Sequence, residues 1–109
     1  MDDENEPVAI YVTFPDMATA EAIGGAVVEE GLAACINILP QMRSIYRWKG
    51  AISRDDEVVG IMKTRRARVE AIVAAIEARH PYETPAIVVL PIVGGSRGYL
   101  DWIVAETSG

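Results

Sequence analysis

From Leu32 the sequence LAACINILPQMRSIYRWKG carries 18 residues to Lys49, with Gly50 behind them, and AISRDDEVVGIMKT, Ala51 to Thr64, follows as a return. Both stretches are rich in β-branched and aromatic residues, so they read as the two arms of one hairpin. Fully extended at about 3.3 Å per residue, the first arm reaches roughly 59 Å. A globule of this chain length has a radius of gyration of about 13 Å and a width of roughly 35 Å. The hairpin must therefore bend at Pro40, project from the body, or do both. A projecting hairpin leaves unpaired strand edges, which soluble proteins cover by pairing with another subunit, so a homo-oligomer is expected on this ground alone.

The rest of the chain supplies a partner for each arm. VAIYVTF, Val8 to Phe14, lies between Pro7 and Pro15 and reads as a buried strand. Asp16 can cap a helix in which Ala20, Ile23 and Val27 recur at helical spacing, Gly24 and Gly25 allow a close approach to a sheet, and Gly31 supplies the stop. RRARVEAIVAAIEARH is the clearest helix, because Val69, Ile72, Val73 and Ile76 form an i, i+3, i+4, i+7 stripe. TPAIVVLPIV gives a further strand, and SRGYLDWIVAE a closing helix with Ser96 as its cap. On Ala51–Thr64, Glu57, Val59, Ile61 and Lys63 share one face, and Val58, Gly60, Met62 and Thr64 the other. The order βαββαβ plus a C-terminal helix is an α+β, ferredoxin-like pattern: an antiparallel sheet of four strands with two helices on one face. No linker or repeat divides it, so residues 1–109 are expected to form a single domain with residues 1–7 as a polar N-terminal tail.

Composition narrows the function. The net charge is −6, which excludes a nucleic-acid backbone or an anionic membrane as the main partner, since each calls for a basic face. An RNA-recognition module shares the element order but would need stacking aromatics on its central strands. No apolar run approaches the roughly 20 residues that span a bilayer, the start is acidic, and a lone cysteine, Cys35, requires no oxidising compartment. The chain reads as soluble and cytoplasmic.

Chemistry has few places to reside. His80, the single histidine, stands before Pro81 in EARHPYETPA. One reading makes it the end of the second helix, where an imidazolium suits the negative end of the dipole. A second puts His80, Tyr82 and Glu83 together on a rigid turn, a set of donors and acceptors suited to a ligand or a cation. A closed zinc site needs four ligands, mostly cysteine and histidine, so a soft-metal site would have to recruit carboxylates or neighbouring subunits. Cys35, flanked on its strand face by Ala33 and Asn37, is expected in the core. Tyr46 and Trp48 share a face and are expected to pack across strands or between subunits. Lys63 can be solvated or enter a polar cleft, while Lys63, Arg65, Arg66 and Arg68 are expected as an exposed basic face beside the second helix. VGGSRG is expected as a turn, being neither a Walker motif nor a dinucleotide fingerprint. With no Gly-x-Ser-x-Gly elbow and no Cys-x-x-Cys, an enzyme is not expected.

Taken together, EEGLAACINILP, SIYRWKG, DDEVVGIMKT, HPYETPAIVVLPI and GYLDWI resemble, in order and spacing from Val8 to about Ile103, the CutA divalent-cation tolerance family. The resemblance implies a ferredoxin-like homotrimer in which the long second and third strands pair between subunits, an architecture similar to that of P-II-type signalling proteins. It implies tolerance of copper and other divalent ions, with no settled catalytic activity and no certain cofactor beyond a divalent cation such as copper. It also implies a ligand-binding cleft between subunits formed by Cys35, Tyr46, Trp48, Glu57, Lys63, His80, Tyr82 and Glu83, with His80 and Glu83 as metal candidates. Some members carry a cysteine where this chain has Val12 and a second histidine where it has Arg79, which removes two copper donors. The rival reading is a trimeric P-II-like signalling or scaffold module that docks an unidentified protein partner without binding metal itself.

Overall fold

In the computed structural model, residues 3–108 are described. Strand β1 (Pro7–Phe14) is followed by helix α1 (Met17–Glu29), the long strands β2 (Cys35–Trp48) and β3 (Ala51–Arg65), helix α2 (Val69–Arg79), strand β4 (Ile87–Pro91) and helix α3 (Arg97–Glu106). The four strands form one sheet in the order β2-β3-β1-β4, every pairing antiparallel, so the ferredoxin-like order with its added helix is present. Of the stretch expected as a tail, Asp3–Asn5 forms a short 3₁₀ turn and Pro7 already pairs with Arg65. Met1 and Asp2 lie outside the described residues.

Alternation along the strands creates two unlike faces. Val8, Ile10, Val12 and Phe14 of β1 and Val58, Gly60, Met62 and Thr64 of β3 point to the face covered by α1 and α2. There Ile23 and Val27 of α1 and Ile72 and Ile76 of α2 complete the core. Asp16 starts α1 by accepting from the Thr19 N–H at 2.8 Å, and that bond holds its carboxyl below the ordinary aspartate range. Of the two expected close-approach glycines only Gly24 serves that role, since a Cβ there would meet Ile36 Cδ1 at 2.7 Å, whereas Gly25 faces open space. Gly60 makes the matching approach from the sheet: a Cβ on it would lie 2.8 Å from the Phe14 ring and 3.0 Å from Ile36.

The molecule measures 45 × 25 × 22 Å, because the hairpin of β2 and β3 runs past the end of β1. β1 stops at Phe14, opposite Val58, while the β2–β3 ladder continues from Met42↔Glu57 to Trp48↔Ala51. Lys49 and Gly50, with φ of 50° and 82°, close it as a two-residue turn with both residues left-handed, whose twist matches that of paired strands. The bend expected at Pro40 is a β-bulge. Leu39 pairs with Val59 and Met42 with Glu57, so Pro40 and Gln41 together oppose only Val58, and Gln41 sits at φ 63°. A proline has no N–H to lose from the ladder, which suits it to this position.

The expected basic face beside α2 is instead a set of clamps. Arg65 and Arg68 donate from Nε to the Thr107 carbonyl at 3.1 and 2.8 Å, capping the C-terminal end of α3, while Arg66 pairs with Glu6 at 3.1 Å. Lys63 donates to Asn37 on the face away from α1 and α2. The second helix begins later than expected, at Val69, after a 3₁₀ turn over Arg66–Arg68.

Two substitutions test this packing. Gly60→Ala should destabilise the chain by about 1–3 kcal/mol in a denaturant titration, because the Phe14 ring has nowhere to move. Gln41→Val should cost about 1–2 kcal/mol, as a β-branched residue resists the left-handed backbone, while Gln41→Gly is tolerated; equal stability of the two variants would contradict the bulge.

Candidate functional site

Past the bulge the side-chain parity of β2 changes. Before it, Cys35, Asn37 and Leu39 pair with Lys63, Ile61 and Val59; after it, Met42, Ser44, Tyr46 and Trp48 pair with Glu57, Asp55, Ser53 and Ala51. Odd-numbered residues of β2 therefore share the open face with even-numbered ones further along, and Tyr46 and Trp48 arrive on the same face as Glu57. Without the extra residue they would project from the opposite side of the hairpin.

A cavity of about 530 Å³ opens there, lined by Tyr11, Tyr46, Trp48, Asp55, Glu57, Tyr82 and Glu83 together with small and aliphatic residues. The Tyr82 hydroxyl donates to Glu57 Oε2 at 2.7 Å, and the Tyr46 hydroxyl donates to Asp55 two positions along the same strand face. Glu57 is only 8% exposed. Burial, and then the bond to Glu57, pushes the Tyr82 phenol well above the ordinary tyrosine value, and the bond to Asp55 raises Tyr46. At the rim the Lys49 ammonium lies 3.5 Å from Glu83 Oε2 and 5.6 Å from the centroid of the Trp48 ring.

His80 stands behind this cavity. It is the C-cap of α2, with extended backbone, so the expected helix end is present. The expected imidazolium is not. The Tyr82 backbone N–H can only donate, so His80 Nδ1 accepts it, at 3.2 Å, and carries no proton. The Thr13 carbonyl can only accept, so Nε2 donates to it, at 2.8 Å. The ring is a neutral imidazole stacked on Phe14 at 5.3 Å, and neither nitrogen has a lone pair left for a metal. Its work is to fix the turn that delivers Tyr82 to Glu57.

The eight expected cleft residues thus separate within one chain. Tyr46, Trp48, Glu57, Tyr82 and Glu83 line the cavity, and His80 supports it. Cys35 and Lys63 lie elsewhere: Lys63 is six residues from Glu57 along β3, about 20 Å away. Cys35 is half-buried on the open face, not in the core, with Sγ 3.6 Å from the Tyr99 hydroxyl of α3, and Lys63 Nζ lies 5.8 Å from the Tyr99 ring. His80 and Glu83 do not form a metal pair, and among the described residues no three histidine, cysteine, aspartate or glutamate side chains converge to hold an ion. Val12 is buried on the helix face and Arg79 pairs with Glu30 at 3.2 Å, so both are structural here. Sequence reasoning missed Tyr11, Lys49 and Asp55. The signal for Asp55 was its i, i+2 spacing from Glu57; for the other two there was none.

The CutA1 divalent ion tolerance protein family model matches residues 8–106. The chain belongs to this family. The CutA divalent-cation tolerance protein of Thermus thermophilus is 43% identical over 98 residues, covering 90% of this chain and 95% of that protein. The chloroplastic CutA of Arabidopsis thaliana is 38% identical over 100 residues, 92% of this chain but 55% of its own length. The chain spans about half the length of the plant, mouse and human CutA proteins it matches. Among solved structures, CutA1 of Oryza sativa superposes with a TM-score of 0.91 at 35% identity, covering 97% of each chain. The Thermus thermophilus protein gives 0.90 at 42% identity, covering 93% of this chain and 98% of that one.

The Tyr82–Glu57 bond has a measurable pH signature. The folded chain holds the Tyr82 proton more tightly than the unfolded chain, so the stability this contributes is complete below pH 10.0 and is lost as pH rises from there towards the folded value. An ultraviolet titration of the native protein should show a late tyrosine phase that Tyr82→Phe removes. The same substitution should cost about 1 kcal/mol, because Glu57 loses its donor. Ionisation of Tyr82 together with the exposed tyrosines would contradict this geometry.

Proposed function

We propose that the chain acts in divalent-cation tolerance as a homotrimeric, non-catalytic CutA protein that binds a divalent cation or another small ligand at clefts between subunits. The observation that carries the reading is one cavity on the projecting hairpin lined by four aromatic residues and by Asp55, Glu57 and Glu83, which do not converge on one ion within a single chain. Trimerisation is supported by the apolar residues left outside the core, among them Ile45 at 62% exposure, with Leu39, Ile52, Val88 and Leu90 also exposed. The outer edges of β2 and β4 have no strand partner among the described residues. A divalent cation in the cleft would draw on carboxylates from more than one chain, which suits a hard cation better than copper. No helix among the described residues is long and apolar enough to cross a membrane. Cytoplasmic residence belongs to this proposal, supported by the free cysteine; the Arabidopsis thaliana relative is named chloroplastic and the Archaeoglobus fulgidus one periplasmic.

One observation favours the scaffold reading, in which the cleft residues serve assembly and an unidentified protein partner: His80 engages both ring nitrogens inside its own chain. Light scattering should return the mass of three chains. Calorimetry with calcium, zinc and copper should then show a saturable heat that Glu57→Gln removes while the trimer survives. A single-chain mass rejects the assembly, and absence of any metal heat rejects the cation half of the reading.

A further inference from the structure

The cavity on the hairpin is a poor match for a bare metal ion and a good one for a larger cation. Its volume of about 530 Å³ lies in the range of sites that enclose a small organic molecule. Among the described residues of one chain no lysine, arginine or histidine lines it, and Lys49 at the rim is one cation against Asp55, Glu57 and Glu83, so an anionic ligand would meet net negative charge. All three lining phenols already have their protons placed, Tyr82 on Glu57, Tyr46 on Asp55 and Tyr11 on the Met42 sulfur, so the remaining carboxylate lone pairs call for N–H donors from outside. The ring faces of Tyr46 and Trp48 are partly exposed and offer their negative quadrupoles to the same space.

The chain also contains its own example of the ligand chemistry. The Lys49 ammonium is held between the Trp48 ring and the Glu83 carboxylate, two of the groups that line the cavity. Its side chain is 70% exposed, so it can swing away at little cost. Asp55 and Glu57 lie two residues apart on one strand face, about 7 Å between Cα atoms, a span that a short alkyl diamine can bridge.

We propose that this cavity binds a small organic ammonium ion, with Trp48 and Tyr46 facing its cationic end, Asp55, Glu57 and Glu83 accepting its N–H bonds, and Lys49 holding the rim until the ligand replaces it. The proposal rests on the reading of the cleft as a ligand site and names the ligand class that the side chains select.

The test uses the full chain in its native assembly. 1,4-diaminobutane should give saturable binding by calorimetry at low ionic strength, and tetramethylammonium, which lacks N–H donors, should bind more weakly through the rings alone. Trp48→Ala and Glu57→Gln should each weaken diamine binding by about tenfold or more. Lys49→Ala should strengthen it severalfold by removing the internal competitor. Glu57→Gln retains an acceptor for Tyr82, and circular dichroism and light scattering confirm that each variant is folded and assembled. Inorganic phosphate should give no heat.

Failure to saturate at millimolar diamine, binding unchanged in both weakening variants, or an assembly structure with a neighbouring chain filling the cavity overturns the proposal. Calcium, zinc and copper titrations on the same samples separate it from the family reading. Metal binding without diamine binding rejects the ammonium site and keeps the metal reading. Diamine binding without metal binding keeps the site and rejects the metal reading.

Discussion

The geometry of the whole hairpin depends on two residues opposing one. Pro40 and Gln41 face Val58 alone, and the extra residue turns β2 by one side-chain position. That single step sets Met42, Ser44, Tyr46 and Trp48 on the face where Glu57 and Asp55 already stand. It also coincides with the end of β1, so the sheet loses its third strand where the hairpin begins to project. The left-handed backbone of Gln41 is the local cost of that arrangement, and the turn at Lys49 and Gly50 uses the same region of backbone space to close the far end.

Support for the cavity comes from the other side through His80. One imidazole, at the C-cap of α2, joins that helix to two other segments: its ring stacks on Phe14 and Nε2 donates to the Thr13 carbonyl, both of β1, and Nδ1 accepts from the Tyr82 N–H of the loop after α2. Tyr82 follows on that loop, its ring 4.7 Å from the imidazole, and its hydroxyl meets Glu57. A residue whose chemistry invites a catalytic or metal role is therefore a structural joint. The distinction is one of lone pairs: a histidine with both nitrogens satisfied within its own chain has nothing left to offer a cation. The open face has a second polar group at its other end, where Cys35 and Lys63 meet Tyr99 of α3 and Lys63 donates to Asn37.

The element order, the caps at Asp16 and Ser96, the helix end at Pro81 and the bend at Pro40 were all legible in the sequence. Each of these depends on local chemistry: a side-chain oxygen reaching an N–H three residues on, a ring without an N–H, or an apolar stripe at helical spacing. The alternating faces of β3 were legible for the same reason. The sense of the bend was not, because a proline marks an irregularity without saying how many residues it displaces. Nor were the partners of the arginines: Arg65 and Arg68 reach Thr107 some forty residues away, where no spacing rule applies.

By itself, then, the sequence determined which segments are strands and helices, that the hairpin outgrows the body, and that the chain belongs with the divalent-ion tolerance proteins, because these follow from periodicity, length and long ordered motifs. Only the tertiary structure decided which polar side chains meet. It brought Tyr82 to Glu57, placed Asp55 and Trp48 beside them, left Cys35 and Lys63 at the other end of the sheet, and engaged both nitrogens of His80. The physical reason is that register and parity are non-local. One inserted residue in one strand changes every side-chain neighbour beyond it, and nothing in the strand's own composition records that change.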